Sequence, residues 1–184
     1  MAEITHETIV YVDGSNIMRN VGRIDYSRLM KYLQNRYYRE YSGKVVKVKV
    51  FTPVLVNSIN TRKNFHEYLR NMGYEVHITD AFLNAISTRY KDNSDLQMGI
   101  EMMEDIRRET VKELVLMTGD RDFLFVIEKA IHAGKEVSVI GPARATCSEY
   151  RLMQGFREIE SIKDILMKDN LDYESFKQLD RMLA

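Results

Sequence analysis

Short β-branched runs alternate with helical patterns along this chain, and this alternation is the strongest constraint on its fold. The strand-like runs are Thr8–Val12, Val45–Phe51, Tyr74–Ile78, Glu113–Met117 and Glu136–Ile140. They are nearly continuous in apolar residues, as is typical of parallel strands that helices cover on both faces. We therefore predict an α/β fold with a mostly parallel central sheet in a three-layer, Rossmann-like arrangement. The pattern does not specify the strand order.

The helical segments have recognisable ends. The predicted helices are Tyr26–Arg39, Asn60–Met72, Ser94–Arg108 and Asp122–Ala133, with Ala145–Gly155, Ile162–Met167 and Tyr173–Leu183 in the last third and a short final strand over Phe156–Ile159. Asp25 can cap the first helix, and Gly73 and Gly134 are suited to end the second and fourth. Pro53 and Pro142 follow strand-like runs and should mark the strand ends.

One predicted helix, Ser94–Arg108, carries a long apolar stripe. Its members recur at helical spacing: Leu96, Ile100, Met103 and Ile106. These residues share one face of the predicted helix.

The composition suits one cytoplasmic domain. The 184 residues are enough for a single core, and we expect one domain over 1–184, with a core at about 8–142 and a helical extension at about 143–184. The single cysteine, Cys147, excludes an intrachain disulfide and suits a reducing cytosol. No signal peptide is visible, and no apolar run approaches the roughly 20 residues that span a bilayer. Lys and Arg together number 27, as do Asp and Glu, so any nucleic-acid surface must be a local patch.

Acidic residues occur at three separate places, two just after predicted strands and one at the start of a predicted helix. The first strand runs into VDGSNI with Asp13, a later helix opens with KDNSD and Asp95, and the fourth strand runs into MTGDRDF with Asp120 and Asp122. Ligands of open α/β sheets bind outside the carboxyl ends of the strands. These acids are therefore candidates for one shared site.

Each acid also has a purely structural interpretation. Asp13 can be a turn residue, and Asp122 can cap the helix that follows it. Ser94 and Gln97 have the spacing of a capping box, and an acid such as Asp95 is favourable in a first helical turn. Asp120 is the hardest to explain in this way, because it lies too early to cap the predicted helix.

If the acids converge, their repulsion needs relief. Two carboxylates about 5 Å apart repel by ~3 kcal/mol at an effective dielectric near 20. A cation relieves this repulsion, and a site with oxygen ligands alone suits Mg²⁺ or Mn²⁺. The four histidines are scattered without metal-ligand spacing, so zinc is not expected. A hard metal at such an edge can activate water against a phosphodiester.

The three motifs, VDGSNI, KDNSD and MTGDRDF, resemble the NYN domain of the PIN-like nuclease superfamily, LabA-like branch. The resemblance covers roughly Thr8 to Pro142 in the right order, and the last motif is the most specific. It implies a PIN-like parallel sheet with acids gathered at one edge, Mg²⁺ or Mn²⁺ as cofactor, and hydrolysis of RNA, single-stranded or structured. Whether the chain forms a homodimer stays open.

The resemblance also implies residue roles. The metal-binding and catalytic acids would be Asp13, Asp95, Asp120 and Asp122, with Asn16 as the catalytic polar partner of the first. Thr118 matches the hydroxyl position of the last motif. The middle motif departs from many relatives, which have a glycine and a hydrophobic residue ahead of the aspartate. Asp92 is therefore a second candidate for the role of Asp95.

Basic residues near the motifs are candidates for substrate contact. They are Arg19, Arg23, Arg62, Lys63, Arg89, Lys91, Arg121 and Arg144. Lys91 and Arg144 lie beside the expected site, and with Ser15 and Thr118 they form the predicted substrate-binding set. Tyr37 and Tyr38, in the run QNRYYREY, could stack bases, but a helix end over the core is the favoured interpretation.

Three other classes compete with a nuclease. A metal-dependent adhesion module needs DxSxS, but Ile17 stands where the second serine belongs. An aspartyl phosphatase needs D-x-D, but Ser15 stands at the second aspartate. A nuclease-like scaffold that binds RNA or a protein without cleavage stays open as the alternative.

Overall fold

A computed structural model describes residues 6–37, 44–55, 59–83 and 90–166 of the chain. The strands are β1 His6–Asp13, β2 Lys44–Leu55, β3 Glu75–Leu83, β4 Tyr90–Lys91, β5 Val111–Met117, β6 Glu136–Gly141 and β7 Phe156–Glu158. The helices are α1 Gly14–Val21, α2 Tyr26–Tyr37, α3 Ile59–Asn71, α4 Ser94–Ile106, α5 Leu124–His132 and α6 Ser148–Arg151, with 3₁₀ turns at Arg121–Phe123 and Ile159–Ser161.

The strands form one sheet in the order β4-β3-β2-β1-β5-β6-β7. Six of them are parallel, and only the two-residue β4 is antiparallel to its neighbour β3. Strands β2, β3 and β4 follow one another on one side of β1, and strands β5, β6 and β7 follow one another on its other side. The order therefore reverses between β1 and β5, where doubly wound sheets open a crevice for ligands.

Two apolar layers lie on opposite faces of the sheet, as strand alternation requires. Val10 and Val12 of β1 face the layer of α1, α2 and α3, whereas Ile9 and Tyr11 face the layer of α4 and α5. These β1 side chains are all fully buried. The predicted α/β three-layer fold is thus confirmed.

One strand prediction needs correction, and one strand was not predicted. Pro53 lies inside β2 rather than past its end, because the pairing with β1 stops at Phe51 and only β3 continues alongside. A proline is tolerated where one side of a strand has no partner. Strand β4 has no signal in the sequence, because two residues are too few for a recognisable pattern.

The helices differ from the predictions in three places. Helix α1 was not predicted, since GSNIMRNV has few apolar residues; it is held by buried Ile17 and by its N-cap, Asp13. The predicted helix Ala145–Gly155 is confined to α6, and no helix forms over the described part of Ile162–Met167. The segment Tyr173–Leu183 lies outside the described residues. The predicted final strand is confirmed as β7, and Pro142 follows β6 as expected.

Helix α4 buries only part of the predicted stripe. Its buried apolar side chains are Met98, Met102 and Ile106. Leu96 is 64% exposed and Ile100 is 52% exposed, although both belong to the stripe. The helix is apolar on more than one side, so periodicity alone could not identify the buried face.

None of the helices within the described ranges is both long enough and apolar enough to cross a membrane.

Candidate acidic site

Asp13 ends β1 and lies buried at the crevice between β1 and β5. Its Oδ1 accepts hydrogen bonds from Ser15 Oγ at 3.0 Å and from the Asn16 backbone N–H at 2.9 Å. Its Oδ2 accepts one from Thr118 Oγ1 at 2.8 Å. Asp13 is therefore the N-cap of α1 rather than a plain turn residue, and it also links the ends of two strands.

Hydrogen bonds join the start of α1 to the loop after β5. The side-chain oxygen of Asn16 accepts from the Gly119 N–H at 3.0 Å, and Thr118 Oγ1 accepts from the Asp120 N–H at 3.1 Å. Gly119 is required, because a Cβ at this position would lie 2.1 Å from the backbone oxygen of Ala145. Asn16 was predicted to be the polar partner of Asp13. Its backbone N–H donates to Asp13, while its side-chain oxygen binds Gly119 in the loop after β5.

In the last motif, Asp120 rather than Asp122 makes the capping hydrogen bond. The side chain of Asp120 accepts from the Asp122 N–H at 3.0 Å and caps the 3₁₀ turn that precedes α5. Asp120 does lie too early to cap α5, as expected, but it caps a 3₁₀ turn that the sequence did not predict. No side chain caps α5 itself, so Asp122 is not its cap; it lies exposed at the surface.

The start of α4 separates Asp92 from Asp95. The predicted capping box does not form, since Asn93 occupies the N-cap position without a side-chain bond. Instead, Asp92 Oδ1 accepts from the Ser94 N–H at 2.8 Å and also from the Ser94 hydroxyl. Asp92 is thus engaged locally, and Asp95 stands in the first turn of the helix.

The charges of these acids influence one another's pKa values. Desolvation of its carboxyl, followed by the charges of Asp13, Asp92, Asp120 and Asp122, raises the pKa of Asp95 to about 7. Desolvation is also the main reason that the pKa of Asp13 is raised, against its hydrogen bonds, with a further contribution from Asp120. The carboxyl of Asp95 is thus within electrostatic range of the other three predicted acids, and their common role as a metal site stays a prediction.

The acids do not form a closed metal cage. Among the described residues, no three His, Cys, Asp or Glu side chains are arranged to hold an ion between them. Mg²⁺ does not need such a cage, because it usually keeps several waters and binds through one or two carboxylates. An all-oxygen donor set in which Asp95 is crowded by other acids fits a hydrated hard ion, held by Asp95 with Asp120 or Asp122.

The predicted substrate-binding residues are divided by the structure. Thr118 is 0% exposed, and its hydroxyl donates to Asp13 and accepts from the Asp120 N–H; its contact with a substrate stays a prediction. Ser15 is half-buried and donates to Asp13. Arg144 is exposed on the turn after β6. The side chain of Lys91 lies outside the described residues.

Other basic and aromatic candidates have more ordinary positions. Arg121 is exposed and pairs with Glu149 at 2.6 Å. Lys63 is exposed near the start of α3. Tyr37 is buried in the core, as favoured, while Tyr38, Arg62 and Arg89 are outside the description of side chains.

Sequence reasoning missed a groove beside the acids. It has a volume of about 520 Å³ and runs between α4 and α5 from Asp95 and Asp122. Its apolar walls include Leu96, Ile100 and Met103, three of the four residues of the predicted apolar stripe. The apolar stripe of α4 therefore indicated the wall of a surface groove.

Comparison with known proteins agrees with this geometry. The sequence matches the NYN domain family over residues 7–159, and NYN domains are generally nucleases. A crystal structure of a protein of unknown function from Vibrio parahaemolyticus shares the fold, with a TM-score of 0.68 at 21% identity over 91% of this chain and 99% of that one. No curated protein matches the sequence significantly. With most of its length matched and the acids of its motifs at one edge of the sheet, the chain belongs to the NYN domain family.

Proposed function

We propose that this chain is a metal-dependent endoribonuclease that hydrolyses phosphodiester bonds of RNA at the acidic site. One observation carries the proposal: Asp95 is crowded by Asp13, Asp92, Asp120 and Asp122, and with desolvation their charges raise its pKa to about 7. A fold does not gain stability from uncompensated acids, so their presence in a crevice is a sign of function. Family membership supports a nuclease, and the motif resemblance supports RNA as the substrate.

The residues divide into two kinds of role. Asp95, Asp120 and Asp122 would hold Mg²⁺ or Mn²⁺, which when bound supplies an activated water and charge stabilisation for a phosphodiester. Asp13 adds negative charge that acts on Asp95, and Ser15, Asn16 and Thr118 hold its carboxylate in one orientation. Asn16 accepts a hydrogen bond from the Gly119 N–H and so holds the loop after β5, which carries Asp120 and Asp122, next to Asp13.

Cleavage of a labelled single-stranded RNA with Mn²⁺ or Mg²⁺ tests the proposal. We expect cleavage by the wild type, no cleavage in EDTA, and a loss of at least about a hundredfold in Asp120→Asn, since even indirect metal partners contribute 10- to 100-fold. Asp164→Asn is the matched control, because Asp164 is an exposed acid whose neighbour is Arg28 and not the site. Equal cleavage by wild type and Asp120→Asn would refute the assignment of the site.

A second function, RNA or protein binding without cleavage, is favoured by the lack of a preassembled three-ligand cage among the described residues. RNA retention by the wild type in a filter-binding assay, without cleavage under any metal condition, would support this alternative. Cleavage that depends on Asp120 excludes it.

A further inference from the structure

Tyr150 is a buried polar residue that the proposed chemistry leaves unused. It lies in α6, its side chain is 0% exposed, and it belongs to the apolar layer that contains Phe123 and Leu116. Its hydroxyl has no hydrogen-bond partner among the described residues. Buried hydroxyls are nearly always paired, directly or through water, so an unpaired one requires an explanation.

The position of α6 places this hydroxyl beside the acidic site. The Cys147 N–H, at the N-cap of α6, donates to the Gly119 carbonyl at 3.1 Å, and Glu149 pairs with Arg121 at 2.6 Å. Both contacts tie α6 to the loop after β5. Burial first, and then the nearby Cys147, Asp120, Asp122 and Glu149, raise the pKa of Tyr150. The phenol is therefore within electrostatic range of both acids of the last motif.

The other neighbours are poor acceptors for this hydroxyl. Glu149 already accepts from Arg121 at Oε1 and from Ser148 at Oε2. A thiol such as that of Cys147 is only a weak acceptor. Asp120 has one oxygen, Oδ1, engaged by the Asp122 N–H, which leaves its second oxygen available.

We propose that Tyr150 is a positioning residue of the acidic site, whose hydroxyl donates a hydrogen bond to a water molecule at the boundary between core and surface, and that this water donates to Asp120 and Asp122. Such a water accepts one hydrogen bond and supplies both of its hydrogens, and three bonds are typical of an ordered water. Its two hydrogens offset part of the repulsion between the carboxylates and hold them in one orientation. The effect on metal binding rests on the proposed function, whereas the water itself does not.

The experiment compares Tyr150→Phe with Tyr74→Phe. Tyr74 is the matched control, because its buried hydroxyl donates to the Tyr26 carbonyl at 2.7 Å, far from the acids in the other apolar layer. A high-resolution crystal structure of the metal-free wild type should show a water within about 3 Å of the Tyr150 hydroxyl. An empty position there, or a water without contact to either carboxylate, overturns the proposal.

Calorimetric titration with MnCl₂ gives the second readout. We expect Tyr150→Phe to weaken Mn²⁺ binding by about tenfold, as the loss of partners behind metal ligands usually does. Tyr74→Phe should lower the melting temperature of the metal-free protein and leave Mn²⁺ affinity unchanged. Equal affinity of Tyr150→Phe and wild type would show that the hydroxyl has no positioning role. If the wild type binds no Mn²⁺, the proposed function fails, and the crystal structure alone still decides whether the hydroxyl and the acids share a water.

Discussion

Helix α4 carries an aspartate near each end, and the two are in opposite electrostatic states. Desolvation and four neighbouring acids raise the pKa of Asp95, at the first turn, to about 7. Burial also tends to raise the pKa of Asp105, in the last turn, but hydrogen bonds from Lys49, Tyr11 and Arg108 outweigh it and lower the pKa. The same residue type on one helix is thus compensated at one end and uncompensated at the other.

The compensated end is a buried network. Lys49 Nζ lies 2.8 Å from carboxylate oxygens of both Asp105 and Glu101. The Tyr11 hydroxyl donates to Asp105 at 2.7 Å, and Arg108 Nη1 lies 2.8 Å from its other oxygen. All of these charges have partners, so the network has a structural role. Within the described part of the chain, the acids around Asp95 have no such cationic partner, so a bound cation would stabilise them. Paired charges are typical of a structural cluster, whereas crowded acids without a cation are typical of a functional site.

The largest effect on stability should come from the compensated end. Asp105→Asn removes a charge that two buried or half-buried cations share, so we expect the free energy of unfolding at pH 7 to fall by about 3 kcal/mol. Because the folded pKa of Asp105 is lowered, its contribution is present above about pH 4 and is lost as pH falls through that lowered value. Urea denaturation measures both. Glu128→Gln, at an exposed acid on α5, is the control, and a loss for Asp105→Asn no larger than that of the control would contradict the comparison.

Asp13 tests whether capping and charge can be separated. Asp13→Ala removes the acceptor of three hydrogen bonds and the N-cap of α1, so we expect a loss of about 2 kcal/mol without metal. Asp13→Asn should be as stable as the wild type or more so, because the raised pKa of Asp13 shows that the fold favours its neutral form. Both variants should lose cleavage. If Asp13→Asn destabilises as much as Asp13→Ala, the charge on Asp13 is structural.

Asp95 gives a smaller effect with the opposite pH dependence. Its folded pKa lies above its unfolded value, so the folded protein keeps a proton that the unfolded chain loses between about pH 4 and 7. The metal-free wild type should therefore lose stability relative to Asp95→Asn across this range, by about 1 kcal/mol at pH 8, because an exposed carboxylate is screened by solvent. Urea denaturation at three pH values measures the difference. Glu104→Gln, at an exposed acid on the same helix, should show no such trend.

The smallest effect concerns the exposed cation near the site. Arg144→Gln should weaken RNA binding and reduce the salt dependence of the binding constant by about one phosphate contact. Arg70→Gln is the matched control, because Arg70 is exposed in the last turn of α3, toward the opposite edge of the sheet. Filter binding at several salt concentrations compares the two slopes, and identical slopes would place the RNA elsewhere on the surface.

Local sequence was sufficient for the fold class and for the location of the acids. Continuous apolar runs predicted a parallel sheet, and an acid at the end of such a run must lie at the carboxyl edge with the others. Asp25 capping α2, with its N–H contacts from Ser27 and Arg28 at 3.0 and 3.1 Å, was equally readable, because cap and partners are neighbours in sequence. The cap that Asp120 makes on the 3₁₀ turn at Arg121–Phe123 was not predicted, because no sequence pattern indicated this turn.

Tertiary structure alone decided which charges are paired. Lys47 and Lys49 alternate with valines in β2, yet Lys49 is buried against Asp105, 56 residues away, whereas Lys47 pairs with Glu7 of β1. The burial of Thr118 and the raised pKa of Asp95 likewise depend on residues from distant segments. Desolvation and charge proximity are properties of three-dimensional neighbours, so the sequence could determine where the acids lie but not which of them would remain without a compensating partner.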